Sequence, residues 1–168
     1  LDDLRETFSN LKHFNIQLNP KKCTFGVPAG QLLGYLVSAR GIEADLGKIQ
    51  AILTMQRPAK LHDIQKLAGR IAELSRFISK LGEKALPFYR LMKKADKFEW
   101  TPEAEAAFMD LKRVLRSPPI LVAPREREPL YLYVSATNRV VSTVLVVERR
   151  EEGHAQSIQC PVYYLREV

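Results

Sequence analysis

The sequence predicts an α+β fold, and three observations carry that prediction. Apolar residues recur at steps of three or four from Leu61 to Leu81, the spacing of one helix face. From Leu130 onward the pattern changes to β-branched and aromatic runs separated by turn-like segments. Between Cys23 and Gly41, glycine and proline punctuate two short apolar runs in the manner of a hairpin. At 168 residues, 46% apolar and 27% charged, the chain is long enough to bury a core and is not a disordered tail.

Each element has its own signals. Leu4, Phe8, Leu11 and Phe14 predict an amphipathic helix that breaks at Asn19-Pro20. Cys23 to Val27 reads as a strand, Pro28-Ala29-Gly30 as a turn, and Leu32 to Val37 as the returning strand of a β-hairpin. Asp45 can cap a short helix carrying Ile49, Ile52 and Leu53, which must end before Arg57-Pro58. The long stripe of Leu61, Ile64, Leu67, Ile71, Leu74, Ile78 and Leu81 predicts one helix stopped by Gly82. Pro87 is placed to open a short helix with Phe88, Leu91 and Met92. Thr101-Pro102-Glu103 combines a capping hydroxyl, a first-turn proline and an acid at the positive dipole end. The helix it starts buries Ala104, Phe108, Leu111 and Leu115 and ends at Pro118-Pro119. Leu130–Val134, Val140–Val147 and Ile158–Leu165 then predict an antiparallel three-stranded meander, with a charged and mobile loop from Glu148 to Ser157. A domain boundary is expected near residues 120–128.

Composition excludes several classes. No apolar run approaches the roughly 18 to 20 residues of a membrane span. Cys23 and Cys160 cannot build a disulfide framework, and strand environments predict buried, inert thiols for both. Asp2, Asp3 and Glu6 in the first turn do not fit a signal peptide. The expectation is an intracellular setting, cytoplasmic or nuclear, without membrane contact. Asp2-Asp3 supports the first helix dipole, since adjacent helical side chains point apart and cannot share a metal. His13, His62 and His154 fall on three different elements and lack zinc-finger spacing. There is no glycine-rich phosphate loop and no nucleophile elbow. Trp100, just before a helix cap, reads as a core anchor rather than a base-stacking platform.

The charge is uneven. The net charge is +7, and the stretch from Gln56 to Lys97 alone holds eleven bases against four acids. A surface facing a polyanion accounts for this, and so does a solvated helix face. Within that stretch Gln65, Gly69 and Glu73 fall at i, i+4 and i+8 on one helix face, with Lys66 and Arg70 beside them. A mid-helix glycine costs about 1 kcal/mol against alanine and needs a reason. Close helix packing is one reason. Close approach of a polymer backbone is the other, with Gln65 hydrogen-bonding in a groove and the bases on phosphates.

The segment Asp63-Ile64-Gln65-Lys66-Leu67-Ala68-Gly69-Arg70-Ile71 closely resembles the thumb helix of retroviral and LTR-retrotransposon reverse transcriptases. Leu18-Asn19-Pro20-Lys21-Lys22-Cys23-Thr24-Phe25-Gly26 and Leu33-Gly34-Tyr35-Leu36-Val37-Ser38-Ala39-Arg40-Gly41-Ile42 resemble the palm end and primer-grip hairpin of gypsy-type elements. Phe98-Glu99-Trp100-Thr101, Ala107-Phe108, Leu111-Lys112 and Ser117-Pro118-Pro119-Ile120-Leu121 resemble the passage into the RNase H-like domain. The resemblance implies a primer-grip hairpin, a helical thumb and a partial RNase H-like antiparallel sheet. By it, residues 1–56 are the palm end and hairpin, 57–97 the thumb, 98–128 a connecting helix and linker, and 129–168 RNase H-like strands.

It also implies roles. The primer terminus would sit on Leu33, Gly34 and Tyr35. The minor groove of the template–primer duplex would follow Gln65 and Gly69, with Lys66 and Arg70 near its backbone. The retroviral helix carries an aromatic residue where this chain has Glu73, a carboxylate that would repel phosphates. The Tyr-x-Asp-Asp signature would lie upstream of Leu1, and the RNase H metal-binding aspartate is matched by Ser135 or Val134. The further acids of that site would fall beyond Val168. The expectation is therefore a polyprotein segment with neither activity and no cofactor of its own, Mg²⁺ belonging to the parent enzyme. Its expected partners are an RNA–DNA or DNA duplex, bound weakly, and the remainder of the polyprotein. The alternative is a retained retroelement remnant serving as a protein-interaction module.

Overall fold

The computed structural model describes residues 1–93, 98–138, 140–150, 153 and 156–167. The elements are α1 (Asp2–His13), β1 (Ala29–Leu32), β2 (Tyr35–Ser38), β3 (Gly41–Ala44), α2 (Leu46–Leu53), α3 (Leu61–Glu73), α4 (Leu81–Lys93), α5 (Pro102–Leu115), β4 (Tyr131–Ala136), β5 (Val141–Arg149) and β6 (Ile158–Glu167). Short 3₁₀ turns occupy Pro20–Lys22 and Ser75–Phe77. Two antiparallel sheets, ordered β1-β2-β3 and β4-β5-β6, flank the helices. The fold is α+β, as the sequence predicts.

The core is built by α2 to α5. Ile52, Ile64, Leu67, Ile71, Leu74, Phe77, Phe88, Leu111 and Leu115 are fully enclosed within it. Capping fixes the helix starts: Asp45 accepts from the Lys48 N–H at 3.0 Å, and the Thr101 hydroxyl from the Ala104 N–H at 3.2 Å. Trp100 anchors this core as expected. Its ring stacks on Phe88 and meets Phe108 edge-on, and its indole N–H donates to Glu105 at 2.6 Å.

The hairpin differs from its prediction. Cys23 to Val27 is not a strand, and the run from Leu32 to Val37 is not continuous. Leu33 (φ 51°) and Gly34 (φ 79°) are both left-handed, so they form a two-residue turn between β1 and β2, and a third strand, β3, follows. The apolar run through Leu32, Leu33 and Leu36 hid a turn that only Gly34 signals. Cys23 thus lies outside any strand; Cys160 is in β6, and both are half-buried rather than enclosed.

The long central helix is also two helices. α3 ends at Glu73, capped by Leu74, the chain turns through Ser75–Phe77, and Lys80 takes a left-handed φ of 51° before α4. Leu74, Phe77, Ile78 and Leu81 are all buried across this turn. Apolar periodicity reports burial, and here burial persists where the helix does not. Gly82 lies buried in the first turn of α4 instead of ending a helix, and Pro87 lies inside α4 instead of opening it. Its missing N–H removes one i→i−4 hydrogen bond from the helix, a cost offset by burial of Leu81, Ala85, Phe88 and Leu91.

The expected linker does structural work. Ile42 and Leu121 exchange backbone hydrogen bonds of 2.8 and 2.9 Å, and the Val122 N–H donates to the Pro161 carbonyl at 2.9 Å. One short stretch thus joins β3 to β6. Gly41 (φ 134°) makes this possible, because a Cβ there would lie 2.2 Å from the Leu121 oxygen. The Glu128 carboxylate locks the same region by a two-point pair with Arg149, at 2.8 and 2.9 Å. This hydrogen bonding, aided by the Arg125 N–H, holds Glu128 down to about 2 from its ordinary 4.5.

The C-terminal meander forms as predicted, with an irregularity between Leu145 and Val146. Residues 151, 152, 154 and 155 of its charged loop, His154 among them, lie outside the described residues. α1 keeps its predicted amphipathic pattern but buries nothing.

Candidate nucleic-acid interface

α3 is positioned by its inner face. Ile64, Leu67 and Ile71 are buried, and the Asp63 carboxylate accepts from the Ala59 and Lys60 N–H groups at 3.1 and 3.2 Å. The opposite face therefore points to solvent, and Gln65, Lys66, Gly69 and Glu73 are all exposed on it. A Cβ built on Gly69 meets nothing within 4 Å. No neighbouring helix packs there, so packing does not explain this glycine. Lys66 is exposed and makes no ion pair among the described residues.

Arg70 departs from this row. It is half-buried, and its Nη1 donates to the Ala51 carbonyl at 2.6 Å, in the last turn of α2. The structure thus brings Gln65, Lys66 and Gly69 together, and one N–H of Arg70 joins α3 to α2.

The hairpin tip presents Leu33, 87% exposed, at the turn. Tyr35 is half-buried; its ring lies 5.8 Å from that of Phe77 and 5.7 Å from the Arg76 guanidinium. Arg76 also lies 6.0 Å from the Tyr163 ring, so it links the hairpin to β6.

Lys48 joins the two predicted groups, and nothing in the local sequence singles it out. Its Nζ lies 3.0 Å from Glu73 Oε2 and 2.8 Å from the position a Cβ on Gly34 would take. The hairpin tip, Lys48, Glu73, Gly69 and Gln65 thus form one continuous line. The expected repulsion at Glu73 is offset by this ammonium. Around the line, Arg57, Lys60, Lys66 and Lys80 are exposed without ion-pair partners among the described residues, whereas Lys84 pairs with Asp110 and Arg90 with Glu103. Asp110 is held below the usual carboxylate range by hydrogen bonds from Lys84 and Arg113.

On the second sheet, Ser135 is half-buried and pairs across the strands with Ser142, whose buried hydroxyl has no hydrogen-bond partner among the described residues. Among the described residues no group of three His, Cys, Asp or Glu side chains could hold a metal. None of the described helices is long and apolar enough to cross a membrane.

The architecture is a hairpin sheet, a helical unit and a second antiparallel sheet. Residues 100–164, from α5 into β6, match the RNase H-like domain found in reverse transcriptase. Over 98% of its length the chain is 29% identical to the retrovirus-related Pol polyprotein from transposon 412 of Drosophila melanogaster, of which it spans 13%. It is 27% identical over 84% of its length to the transposon Tf2-3 polyprotein of Schizosaccharomyces pombe, spanning 11% of it. The fold matches the foamy viral protease-reverse transcriptase dRH in complex with ds DNA, with a TM-score of 0.74 at 18% identity, covering 98% of this chain and 28% of that one. It also matches the foamy viral enzyme in complex with RNA/DNA hybrid, with a TM-score of 0.68 at 18% identity over 88% of this chain and 19% of that one. Along nearly its whole length the chain is thus similar to reverse-transcriptase and RNase H-like segments of retrotransposon polyproteins, a similarity consistent with the gypsy type.

Proposed function

We propose that this chain is a non-catalytic template–primer-binding segment of a retrotransposon reverse transcriptase. The observation that carries the reading is the open face at Gly69, flanked by Gln65 and Lys66 and aligned through Lys48 with the hairpin tip. A duplex backbone can approach α3 closely only where no Cβ stands. Leu33, Gly34 and Tyr35 hold the primer end, Gln65 reads the minor groove, and Lys66 faces phosphate. Arg70 acts from behind by fixing α3 on α2. The foamy viral structures in complex with dsDNA and RNA/DNA hybrid support a duplex ligand.

We assign residues 1–56 to the palm end and hairpin, 57–97 to the thumb, 98–128 to the connection and 129–168 to RNase H-like strands. Residues at the RNase H position do not fit Mg²⁺: Ser135 and Ser142 offer hydroxyls and no carboxylate. The chain holds no cofactor; Mg²⁺ belongs to the centres of the parent enzyme, which works in the cytoplasm or nucleus. One observation favours a protein partner as well. On the outer face of the second sheet Leu132 is 63% and Val134 61% exposed, an apolar surface suited to the remainder of the polyprotein or to an interaction module.

The test is binding to a blunt RNA–DNA hybrid across a salt series. The expected affinity is about 10⁻⁶ to 10⁻⁴ M, and contact with two or three phosphates gives a log–log salt slope of about −2 to −3. Absence of binding at low salt refutes the reading and leaves the interaction module.

A further inference from the structure

A second concave feature lies away from α3. A cavity of about 190 Å³ opens between the turn before α4 and the inner face of the second sheet. Val144, Tyr133 and Tyr164 give it apolar walls, Ser135 and Ser142 bring hydroxyls from neighbouring strands, and Lys80 stands at its edge. Burial pushes the Tyr164 phenol above its ordinary range, in keeping with a dry wall.

Three properties define what fits. The volume suits one planar ring system, since a cavity of about 150 Å³ takes benzene. The Ser142 hydroxyl is buried without a partner among the described residues, so a ring with a polar edge gives it one that a plain hydrocarbon cannot. Lys80 is exposed, makes no ion pair among the described residues, and holds a left-handed backbone (φ 51°) that glycine would adopt more easily. A cation beside an apolar slot with hydroxyls selects a heteroaromatic ring carrying an anionic substituent. We propose that this slot binds a single nucleotide unit, the base lying against Tyr133 and Val144 and the phosphate on Lys80. The unit comes either from an unpaired strand end or from a free mononucleotide. The inference shares the basic surface of the proposed function but does not depend on α3.

The test uses the full chain and adenosine 5′-monophosphate, followed by amide NMR shifts. Saturable shifts confined to Tyr133, Ser135, Ser142, Val144 and Tyr164 are expected. Adenosine, lacking the phosphate, should bind about two- to fivefold more weakly, the effect of one exposed charge pair. Lys80→Gln should erase that difference, and Ser135→Trp, which fills the slot, should abolish the shifts. If Ser135→Trp does not fold, the comparison of the two ligands on the wild-type chain and Lys80→Gln still decides. A hybrid with a single-stranded overhang separates the sources. Tighter binding than to the blunt hybrid, lost in Ser135→Trp, identifies a strand end; mononucleotide shifts without an overhang effect identify a free nucleotide. Equal binding of phenol, adenosine and the mononucleotide, or no shift at these residues, overturns the proposal. Blunt-hybrid binding and its response to Gly69→Ala report on α3 separately.

Discussion

Gly69→Ala separates a ligand-facing helix from a merely tolerated glycine. The new methyl enters open space, since no atom lies within 4 Å of its position. No overpacking term therefore opposes the gain in helix propensity. Alanine in a helix interior is favoured over glycine by about 0.5–1 kcal/mol. For a chain of this size, 1 kcal/mol moves the melting temperature by about 2–4 °C, so a rise of about 1–4 °C is expected. Hybrid binding should weaken at the same time, because the methyl occupies the space a duplex backbone must enter. The assays are a thermal melt by circular dichroism and fluorescence anisotropy with a labelled RNA–DNA hybrid. A lowered melting temperature would show that Gly69 is packed against something. Raised stability with unchanged affinity would remove the duplex from this face.

Gly41→Ala should have the opposite sign. A positive-φ penalty of about 1–2 kcal/mol and two endangered backbone hydrogen bonds of about 0.5–1.5 kcal/mol each give a loss of about 2–5 kcal/mol, read by urea unfolding; a neutral result refutes the Ile42–Leu121 closure. Lys48→Ala should cost no more than about 1 kcal/mol of stability, as expected for an exposed pair, yet weaken hybrid binding by uncovering the Glu73 charge. Lys48→Ala with Glu73→Gln should regain part of that affinity, and failure to do so would sink the charge-offset argument. Glu128 has a depressed folded-state value, so its pairing stabilises the fold fully above about 4.5 and progressively less as pH falls towards about 2. Acid titrations should show wild type losing more stability than Glu128→Gln across that window; parallel curves would contradict the assignment.

What was legible in the sequence is what depends on neighbours along the chain. The caps at Asp45 and Thr101, the inner stripe of α3 and the outward row of Gln65 and Gly69 follow from spacing and side-chain chemistry. The second sheet follows from its β-branched runs. What was not legible depends on partners far along the chain or on backbone angles that residue types do not betray. Leu33 takes a left-handed angle that leucine rarely adopts, so the hairpin register shifted. The stripe from Leu61 to Leu81 kept its period through a turn because both sides of that turn face one core. Arg70 looked like a phosphate ligand beside Lys66, but the Ala51 carbonyl, fixed by the packing of α2, takes up one of its N–H groups. Lys48 became visible only when Gly34 and Glu73 were brought to it.

The stitch from Ile42 through Leu121 and Val122 to Pro161 bears on the order in which the chain acquires its shape and on where it can be cut. It closes a loop containing every core helix, so it gains little until those helices have already drawn its ends together. Closure over so long a span costs only slowly more with length, about 0.6 kcal/mol per doubling, which favours late, cooperative docking over early nucleation. A recombinant piece starting at Trp100 would present Leu121 and Val122 as an edge with one side unpaired, prone to self-association. One ending before Ile120 would leave Gly41 and Ile42 in the same condition. Expression trials should therefore retain both sides of the stitch.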